Sequence, residues 1–331
     1  MQISNINLTM PVIAAPMSGI TCLSYRMLNR RFGCECAFLE MINARSLYYC
    51  TKRTHEMLPT QKEDRPLGVQ LLGCEEYYLA KAIERLHDYP FDILDLNAAC
   101  PRRKITSRGE GAALLNEPRK LRDLLKVIVK LSPVPVTVKI RIGYSDENNV
   151  RDIALYAQES GIAALFVHGR TGKQSYSGEV NYRAIEKVKK ALSIPVIGSG
   201  DIFSVTQSKK MLDETGVDGI LVARGALGNP WLFEQLRAFF SKKDTVSLPD
   251  ISRITEVMKM HLSAVIDFYG EHRGVLKFRK FFIWYTRGFS RVKDIRRQAQ
   301  QVKDRQQTLA LIESFAQVAV RRCRQPLLNI S

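Results

Sequence analysis

The sequence predicts an α/β protein: a (β/α)8 TIM barrel over residues 1–240, followed by an all-α helical domain over residues 241–331. Short apolar runs occur eight times in the first part, each bounded by Gly, Pro or polar turns and followed by a segment with helical periodicity. Beyond residue 240 these runs stop and amphipathic helical patterns take over. An open doubly wound sheet is the alternative fold for the same order of elements.

The eight runs start 24 to 43 residues apart, which is enough for one strand, one turn and one crossover helix. They are almost entirely apolar, as parallel strands covered by helices must be. They span residues 12–15, 37–42, 67–72, 93–96, 136–142, 163–167, 195–197 and 219–223.

The segments between the runs predict helices, because apolar residues recur at i, i+3, i+4 and i+7. After the third run these are Leu79, Ala82, Ile83 and Leu86, and after the fifth they are Val150, Ile153, Ala154 and Ala157. A similar stripe near the start of the second domain consists of Ile251, Ile254, Met258, Leu262 and Val265.

Composition is that of a globular protein, with 45% hydrophobic and 25% charged residues, and it excludes a disordered chain. The net charge of +17 predicts a polyanionic partner, with an anionic membrane surface as the alternative. Residues 241–331 carry +10 of that charge, so the helical domain is the basic part.

No apolar run approaches the roughly 18 residues of a membrane-spanning helix, and no secretion signal is visible, which predicts a cytoplasmic protein. The seven cysteines are an odd number, so we expect reduced thiols rather than a disulfide framework. The five histidines are scattered, and we expect no metal site.

Polar residues occur at the C-terminal ends of the predicted strands, where the active site of a TIM barrel lies. In chain order they are Pro16 and Met17, Gln70, Asn97 and Cys100, Lys139 and Arg141, His168 and Arg170, Ser199, Gly200 and Asp201, and Arg224 and Gly225.

Three of these positions suggest specific chemistry. The glycine-rich turns after strands seven and eight, with Arg224, are typical of a phosphate site, although tight barrel turns without a ligand have the same composition. Lys139 requires an anionic partner, either the N1–C2=O edge of a reduced flavin or a neighbouring carboxylate. Cys100 is a candidate general acid, because a thiol is mostly protonated near neutral pH. A small buried side chain is the alternative for Cys100, and Cys74 also follows a strand.

One segment of the helical domain has a basic face and an aromatic face. The basic side chains are Arg273, Lys277, Lys280 and Arg287, and they predict a nucleic-acid contact. The aromatic residues, which we expect to be core rather than a stacking platform, are Phe278, Phe281, Phe282, Tyr285 and Phe289.

Several ordered motifs resemble the tRNA-dihydrouridine synthases, closest to the bacterial B type. They are Ala15-Pro16-Met17, Gly68-Val69-Gln70-Leu71, Asp95-Leu96-Asn97 with Cys100-Pro101, Lys139-Ile140-Arg141, His168-Gly169-Arg170-Thr171 and Ala223-Arg224-Gly225-Ala226. The similarity continues into the helical domain through Glu271-His272-Arg273-Gly274.

The resemblance implies an FMN-dependent enzyme that consumes NADPH and reduces the C5–C6 bond of uridines in tRNA. Hydride would pass from flavin N5 to C6, and Cys100 would protonate C5. Implied cofactor residues are Ala15, Pro16, Met17, Gln70, Lys139, His168, Ser199, Gly200, Asp201, Ala223, Arg224 and Gly225. Implied substrate residues are Asn97, Arg141, Arg170, Tyr176, Arg273, Lys277, Lys280 and Arg287.

The chain departs from the family pattern at two places. Ala98-Ala99 replaces the usual Met-Gly before Cys-Pro, and Ser199 replaces an Asn. The Cβ of Ala99 restricts the backbone angles of the loop that presents Cys100. We expect Ser199 to keep a hydrogen bond near the phosphate.

The expected partner is tRNA, with no DNA or membrane partner and a monomeric protein. Three alternatives remain from the sequence: the same chemistry on ribosomal RNA, an FMN-dependent dehydrogenase of a small molecule of the dihydroorotate type, and a non-catalytic RNA-binding protein.

Overall fold

The computed structural model describes residues 1–243 and 246–320. The chain divides into two compact units, one of Met1–Leu23 with Cys34–Ala223 and one of Ser24–Gly33 with the chain from Arg224 onward. The change of unit therefore follows the last barrel strand, ahead of the sequence-based boundary at residue 240.

Eight parallel strands form a closed barrel, in which each strand pairs with the next and the last pairs with the first. The strands are β1 Val12–Ala14, β2 Cys36–Phe38, β3 Leu67–Leu72, β4 Ile93–Ala98, β5 Val136–Arg141, β6 Ala164–His168, β7 Val196–Ser199 and β8 Gly219–Val222. The pairing of Ile220 with Val12 closes the sheet, so the predicted TIM barrel is confirmed and the open sheet is excluded.

The second predicted strand is interrupted. Phe38 pairs with Gly68 of β3, and a second short stretch, Ile42–Asn43, pairs with Leu71 and Leu72. One extra residue therefore lies between the two pairings, as in a β-bulge. Within the interruption, the Glu40 carboxylate accepts a hydrogen bond from the backbone N–H of Gly19, which holds the segment away from regular pairing.

The helices are α1 Leu23–Arg31, α2 Ala44–Tyr48, α3 Lys52–His55, α4 Glu76–Leu86, α5 Arg103–Thr106, α6 Pro118–Leu131, α7 Val150–Glu159, α8 Tyr182–Ala191, α9 Val205–Thr215, α10 Trp231–Phe240, α11 Ile251–Tyr269, α12 Glu271–Tyr285, α13 Lys293–Ala299 and α14 Arg305–Val320. Two 3-10 turns, Gly111–Asn116 and Arg224–Ala226, follow β4 and β8. The predicted apolar stripes of α4, α7 and α11 are buried.

The lower part of the barrel interior is apolar. Phe38 and Phe166 meet edge to face with ring centroids 5.8 Å apart, in one cluster with Ile13, Ile93 and Ile197. An antiparallel hairpin, Gln2–Ile3 with Ile6–Asn7, adds its apolar side chains to this cluster. The interior is thus a packed core, which leaves the opposite strand ends for chemistry.

The helical unit has an aromatic core built on α11 and α12. His261 of α11 lies 4.3 Å from the Phe281 ring, and its Nδ1 lies 3.0 Å from the Tyr285 hydroxyl. Burial lowers the pKa of His261 to about 3. Tyr25 of α1 stacks on Phe281 at 5.7 Å. Phe278, Phe281, Phe282 and Tyr285 are buried, so the predicted aromatic stripe of α12 is core.

Membrane spans and metal clusters are both absent from residues 1–243 and 246–320. None of the helices in these ranges is long and apolar enough to cross a membrane. In the same ranges, no three His, Cys, Asp or Glu side chains lie close enough together to hold a metal ion.

Gly68→Ala should destabilise the barrel, because the new Cβ would lie 2.1 Å from Cε1 of Phe38. Overpacking of this kind costs about 1–3 kcal/mol in the free energy of unfolding. Gly73→Ala is the matched control, because its Cβ would approach nothing closer than 3.3 Å. Chemical denaturation of the three proteins measures the difference, and equal stability of Gly68→Ala and wild type would contradict the packing described for β2 and β3.

Candidate active site

A chain of hydrogen bonds crosses three neighbouring strands inside the barrel. The Asp95 carboxylate accepts from Thr137 Oγ1 at 2.7 Å and from Gln70 Nε2 at 2.8 Å. Gln70 Oε1 in turn accepts from Asn97 Nδ2 at 2.7 Å. The Asp95 oxygen accepts from the Gln70 amide nitrogen, which leaves the Gln70 oxygen facing Asn97.

Asn97 extends this chain of hydrogen bonds to the loop that carries Cys100. Its Oδ1 accepts from the backbone N–H of Ala99 at 3.1 Å and of Cys100 at 2.8 Å. Ala99 does not have a positive φ, so the loop accommodates the Cβ that replaces the usual Gly hydrogen. The departure at Ala99 therefore imposes no backbone strain.

A second close approach lies on the other side of Cys100. Ala112 N donates to Cys100 O at 3.0 Å. Gly111 has φ +60°, and a Cβ there would lie 2.7 Å from Cys100 O and 3.1 Å from Cys100 Cβ. Only glycine fits this position, and the half-buried Cys100 is held from both sides.

Lys139 follows Thr137 on the inner face of β5 and is half-buried. Burial lowers the pKa of Lys139 to about 8, with the Arg141 charge acting in the same direction and Asp95 and Cys100 opposing it. Burial likewise raises the pKa of Asp95 to about 7. Within the described parts of the chain, the Lys139 ammonium makes no hydrogen bond or ion pair, and both oxygens of the neighbouring Asp95 accept from other side chains.

Arg141 is buried and joins two loops, the one that follows β4 and the one that follows β6. Its Nε donates to Ala99 O at 2.7 Å, and its Nη1 donates to Thr171 O at 2.8 Å and Ser175 O at 2.6 Å. The guanidinium also lies 5.5 Å from the ring centre of Tyr176, which is 54% exposed. The structure thus brings Cys100, Arg141 and Tyr176 together around one loop cluster.

The ends of β6 and β7 form a second cluster. His168 Nδ1 lies 3.5 Å from Ser199 Oγ. The buried Arg170 forms an ion pair with the half-buried Asp201 and donates to Gly178 O from Nη2 at 2.7 Å. The Asp201 carboxylate is therefore engaged with Arg170, which fixes the turn that follows β7.

The other predicted cofactor residues follow the ends of β1 and β8. Ala15 N donates to Val222 O at 2.8 Å, which joins the ends of β1 and β8, and Pro16 and Met17 follow directly. Ala223 is the last residue of the barrel unit, and Arg224 and Gly225 start the 3-10 turn of the other unit.

The predicted basic face lies on α12 and just after it. Arg273 and Arg287 are exposed, and Lys277 and Lys280 are half-buried. Lys277 Nζ lies 4.2 Å from the ring centre of Tyr269, and Lys280 Nζ lies 5.3 Å from that of Phe281. Aromatic rings beneath the cations hold the charges at the surface.

Three residues of the site were missed by sequence reasoning as functional positions: Asp95, Thr137 and Gly111. A signal existed for two of them. Asp95 is two residues before Asn97 and Thr137 two before Lys139, and residues two apart share one face of a strand. Nothing in the sequence alone marks Gly111, because its role depends on how the connection between β4 and α6 folds back onto Cys100.

A family model described as "Dihydrouridine synthase (Dus)" matches residues 12–321. The chain belongs to the dihydrouridine synthase family. This confirms the resemblance seen in the motifs, and the protein is an oxidoreductase. "Probable tRNA-dihydrouridine synthase" of Rickettsia bellii is 36% identical over 89% of this chain and 91% of its own length. "tRNA-dihydrouridine synthase B" of Pasteurella multocida is 34% identical over 95% of both chains.

Solved structures are similar to this synthase at the level of the fold. A 2-naphthoyl-CoA reductase has a TM-score of 0.59 at 10% identity, covering 73% of this chain and 52% of the other. An old yellow enzyme homologue from Zymomonas mobilis has a TM-score of 0.51 at 14% identity, covering 72% of this chain and 90% of the other.

Asp95→Asn should flatten the pH dependence of the synthase's stability. The folded pKa of Asp95, about 7, lies above the value of roughly 3.9 in an unfolded chain, so the folded protein keeps a proton that the unfolded chain releases. This stability is fully present below about pH 4 and is lost as the pH rises to about 7. Asparagine keeps the shape and the acceptor for Gln70 but does not titrate.

The measurement is the free energy of unfolding of both proteins at pH 5 and pH 8. Between these values the wild type should lose about 3 kcal/mol more than Asp95→Asn. Parallel curves for the two proteins would mean that Asp95 is ionised throughout the range.

Proposed function

We propose that this protein reduces the C5–C6 bond of specific uridines in tRNA to give 5,6-dihydrouridine, with FMN as bound cofactor and NADPH as reductant. The observation that carries the proposal is the hydrogen-bonded chain from Asp95 to the Cys100 loop, beside a Lys139 ammonium that has no hydrogen bond or ion pair in the described residues. Membership of the dihydrouridine synthase family supports it.

The donor set at the mouth of the barrel fits a flavin. Lys139 and the Gln70 amide would bind the polar edge of the isoalloxazine, with Ala15, Pro16 and Met17 against the ring and His168 close to it. Ser199, Gly200, Asp201, Ala223, Arg224 and Gly225 would hold the phosphate end. The half-buried lysine would meet the negative charge that a reduced flavin carries at its N1–C2=O edge. When bound, the reduced cofactor supplies the hydride that reaches C6 of the uracil ring.

Cys100 completes the reduction by giving its proton to C5, so that the double bond becomes a single bond and a thiolate remains. The thiolate then takes a proton from solvent. Lys139 is close enough to Cys100 for the charge of a Cys100 thiolate to raise the pKa of Lys139, in opposition to the larger effect of burial.

The uracil ring would be positioned by the groups around that loop. Asn97 holds the backbone beneath Cys100, Arg141 ties the loops together, and the exposed Tyr176 ring offers a stacking surface. A uridine stacked inside a helix cannot reach the interior of a barrel mouth, so the target must be unstacked first. Loop uridines make that step least costly.

We propose that the basic face of α12 binds the phosphate backbone of the RNA, with residues 1–240 as catalytic domain and 241–331 as RNA-binding domain. Aromatic support beneath Lys277 and Lys280 keeps the cations in place. A dehydrogenase of a small molecule would leave this face without a role. The proposal further places the protein in the cytoplasm as a monomer that acts on tRNA.

Cys100→Ala should keep the flavin and lower dihydrouridine formation by about 100-fold or more, because a positioned general acid contributes about 10² to 10⁴ in rate. The readouts are the flavin absorbance of the purified protein and the dihydrouridine content of treated tRNA. Cys74→Ala is the matched control, because Cys74 is also half-buried but its thiol bonds to Arg108 O. Full activity of Cys100→Ala would remove the acid role from this residue.

Replacing Arg273 and Arg287 together by Ala should weaken tRNA binding uniformly across tRNA sequences. The plot of log affinity against log salt should become shallower by about one for each phosphate that the variant no longer neutralises. Lys190→Ala, which removes an exposed lysine paired with Glu186, is the control. An unchanged slope in the double variant would place the RNA-binding surface elsewhere.

A further inference from the structure

A cavity of about 600 Å³ lies beside α2 and the loop that follows Cys100. Its volume falls within the roughly 300–1,000 Å³ of pockets that hold small ligands. The side chains that matter for its chemistry are Arg45, Tyr49, Glu75, Arg108 and Glu110. None of them has a role in the proposed reduction.

One wall of the cavity continues into a cluster of four tyrosines. Tyr49 is 59% exposed and Tyr77 is 56% exposed, although large rings are usually covered. Tyr48 supports both, with ring centroids 4.9 Å from Tyr49 and 5.8 Å from Tyr77. Arg45 lies 5.0 Å from the ring centre of Tyr78. The rings are therefore fixed by one another while Tyr49 keeps an open face.

The floor of the cavity has an acceptor without a donor. Glu110 is buried, and its Oε1 accepts from Asn43 Nδ2 at 3.2 Å. Its Oε2 has no hydrogen-bond partner among residues 1–243 and 246–320. Burial raises the pKa of Glu110, against the opposing effects of Asn43 and Arg108. A buried acceptor that lacks a donor is costly, and a ligand N–H group would satisfy it once the carboxylate turns Oε2 toward the cavity.

The cavity is close to Cys100 along the chain and in space. Glu110 precedes Gly111, where an added Cβ would meet the backbone and Cβ of Cys100. Asn43 both bonds to Glu110 and caps α2, with its Oδ1 accepting from Ser46 N at 3.1 Å. The stacking face, the cations and the acceptor are thus on the same side of the barrel as the proposed acid.

We propose that this cavity binds a nucleotide of the RNA substrate that neighbours the target uridine, with its base on Tyr49, its exocyclic amino group donating to Glu110 and its phosphate on Arg45 and Arg108. This rests on the proposed function. Aromatic stacking with a flanking cation is the usual way in which proteins bind unpaired nucleotides. A carboxylate that accepts a hydrogen bond from the amino group of a base favours cytosine over uracil, because uracil has a carbonyl oxygen at the corresponding position.

Charge favours RNA over a peptide as occupant. Arg45 and Arg108 balance Glu75 and Glu110 in the lining of the cavity, and the net charge of +17 carried by the whole chain attracts a polyanion to this surface. A proline-rich peptide would use the tyrosine rings but would give neither guanidinium an anion. Wild-type affinity for tRNA in both Tyr49→Ala and Arg45→Ala would therefore favour a peptide site and overturn the proposal.

The first test is the dissociation constant of an unmodified tRNA transcript with the flavin-loaded enzyme. Tyr49→Ala should raise it about tenfold, which is the size expected for one base stacked on one ring. Tyr49→Phe, which keeps the ring, should restore most of the affinity. Arg45→Ala should also weaken binding, whereas Arg122→Ala is the charge-matched control, since Arg122 lies 5.4 Å over the Tyr156 ring on α6 and α7.

The second test compares oligocytidine with oligouridine on the wild type and on Glu110→Gln. The wild type should prefer oligocytidine, and the variant, which offers an amide donor in place of one acceptor, should lose or reverse that preference. An unchanged ratio would overturn the role of Glu110 even if the variant were less stable, because a ratio is insensitive to the fraction of folded protein.

Different results would overturn the nucleotide site and the proposed function. If the wild type forms dihydrouridine and the dissociation constant of Tyr49→Ala for tRNA is within about twofold of the wild-type value, only the nucleotide site is overturned. Wild type that forms no dihydrouridine in tRNA would overturn the proposed function, and the nucleotide site with it.

Discussion

The buried carboxylate of Asp95 is the constraint on which the site depends. Its oxygens accept from Thr137 and Gln70, which fixes the direction of the Gln70 amide and, through it, that of Asn97. Asn97 then has an oxygen left to hold the backbone of Cys100. The half-buried thiol of Cys100 is thereby positioned from inside the barrel as well as by Gly111 and Ala112 of its own loop.

Lys139 lies beside this hydrogen-bonded chain. The Asp95 oxygens accept from Thr137 and Gln70, the Asp95 charge acts on Lys139 without a direct ion pair, and the pKa of Lys139, about 8, is set mainly by burial. A cation in that state attracts an anionic or acceptor-rich ligand. The barrel core below is apolar and closed, so the ligand must approach from the strand ends.

The barrel could be predicted because its signals are local: apolar strands, helical stripes and their spacing. The polar ends of the strands were visible for the same reason. What the sequence could not show depends on how the chain folds back on itself. Examples are Gly111 against Cys100 within one connection, and the contact of Glu40 with Gly19 at the bulge. The grouping of α1 with the helical unit is another such case, since Tyr25 packs on Phe281 across 256 positions of the chain.

The most direct test of the account is a map of dihydrouridine in tRNA from cells that lack this gene and carry either the wild-type gene or Asn97→Ala. We predict that specific dihydrouridines disappear in the deletion, return fully with the wild type, and return only in part with Asn97→Ala, because the backbone of Cys100 has lost its acceptor. An unchanged dihydrouridine map after deletion, or full restoration by Asn97→Ala, would contradict it.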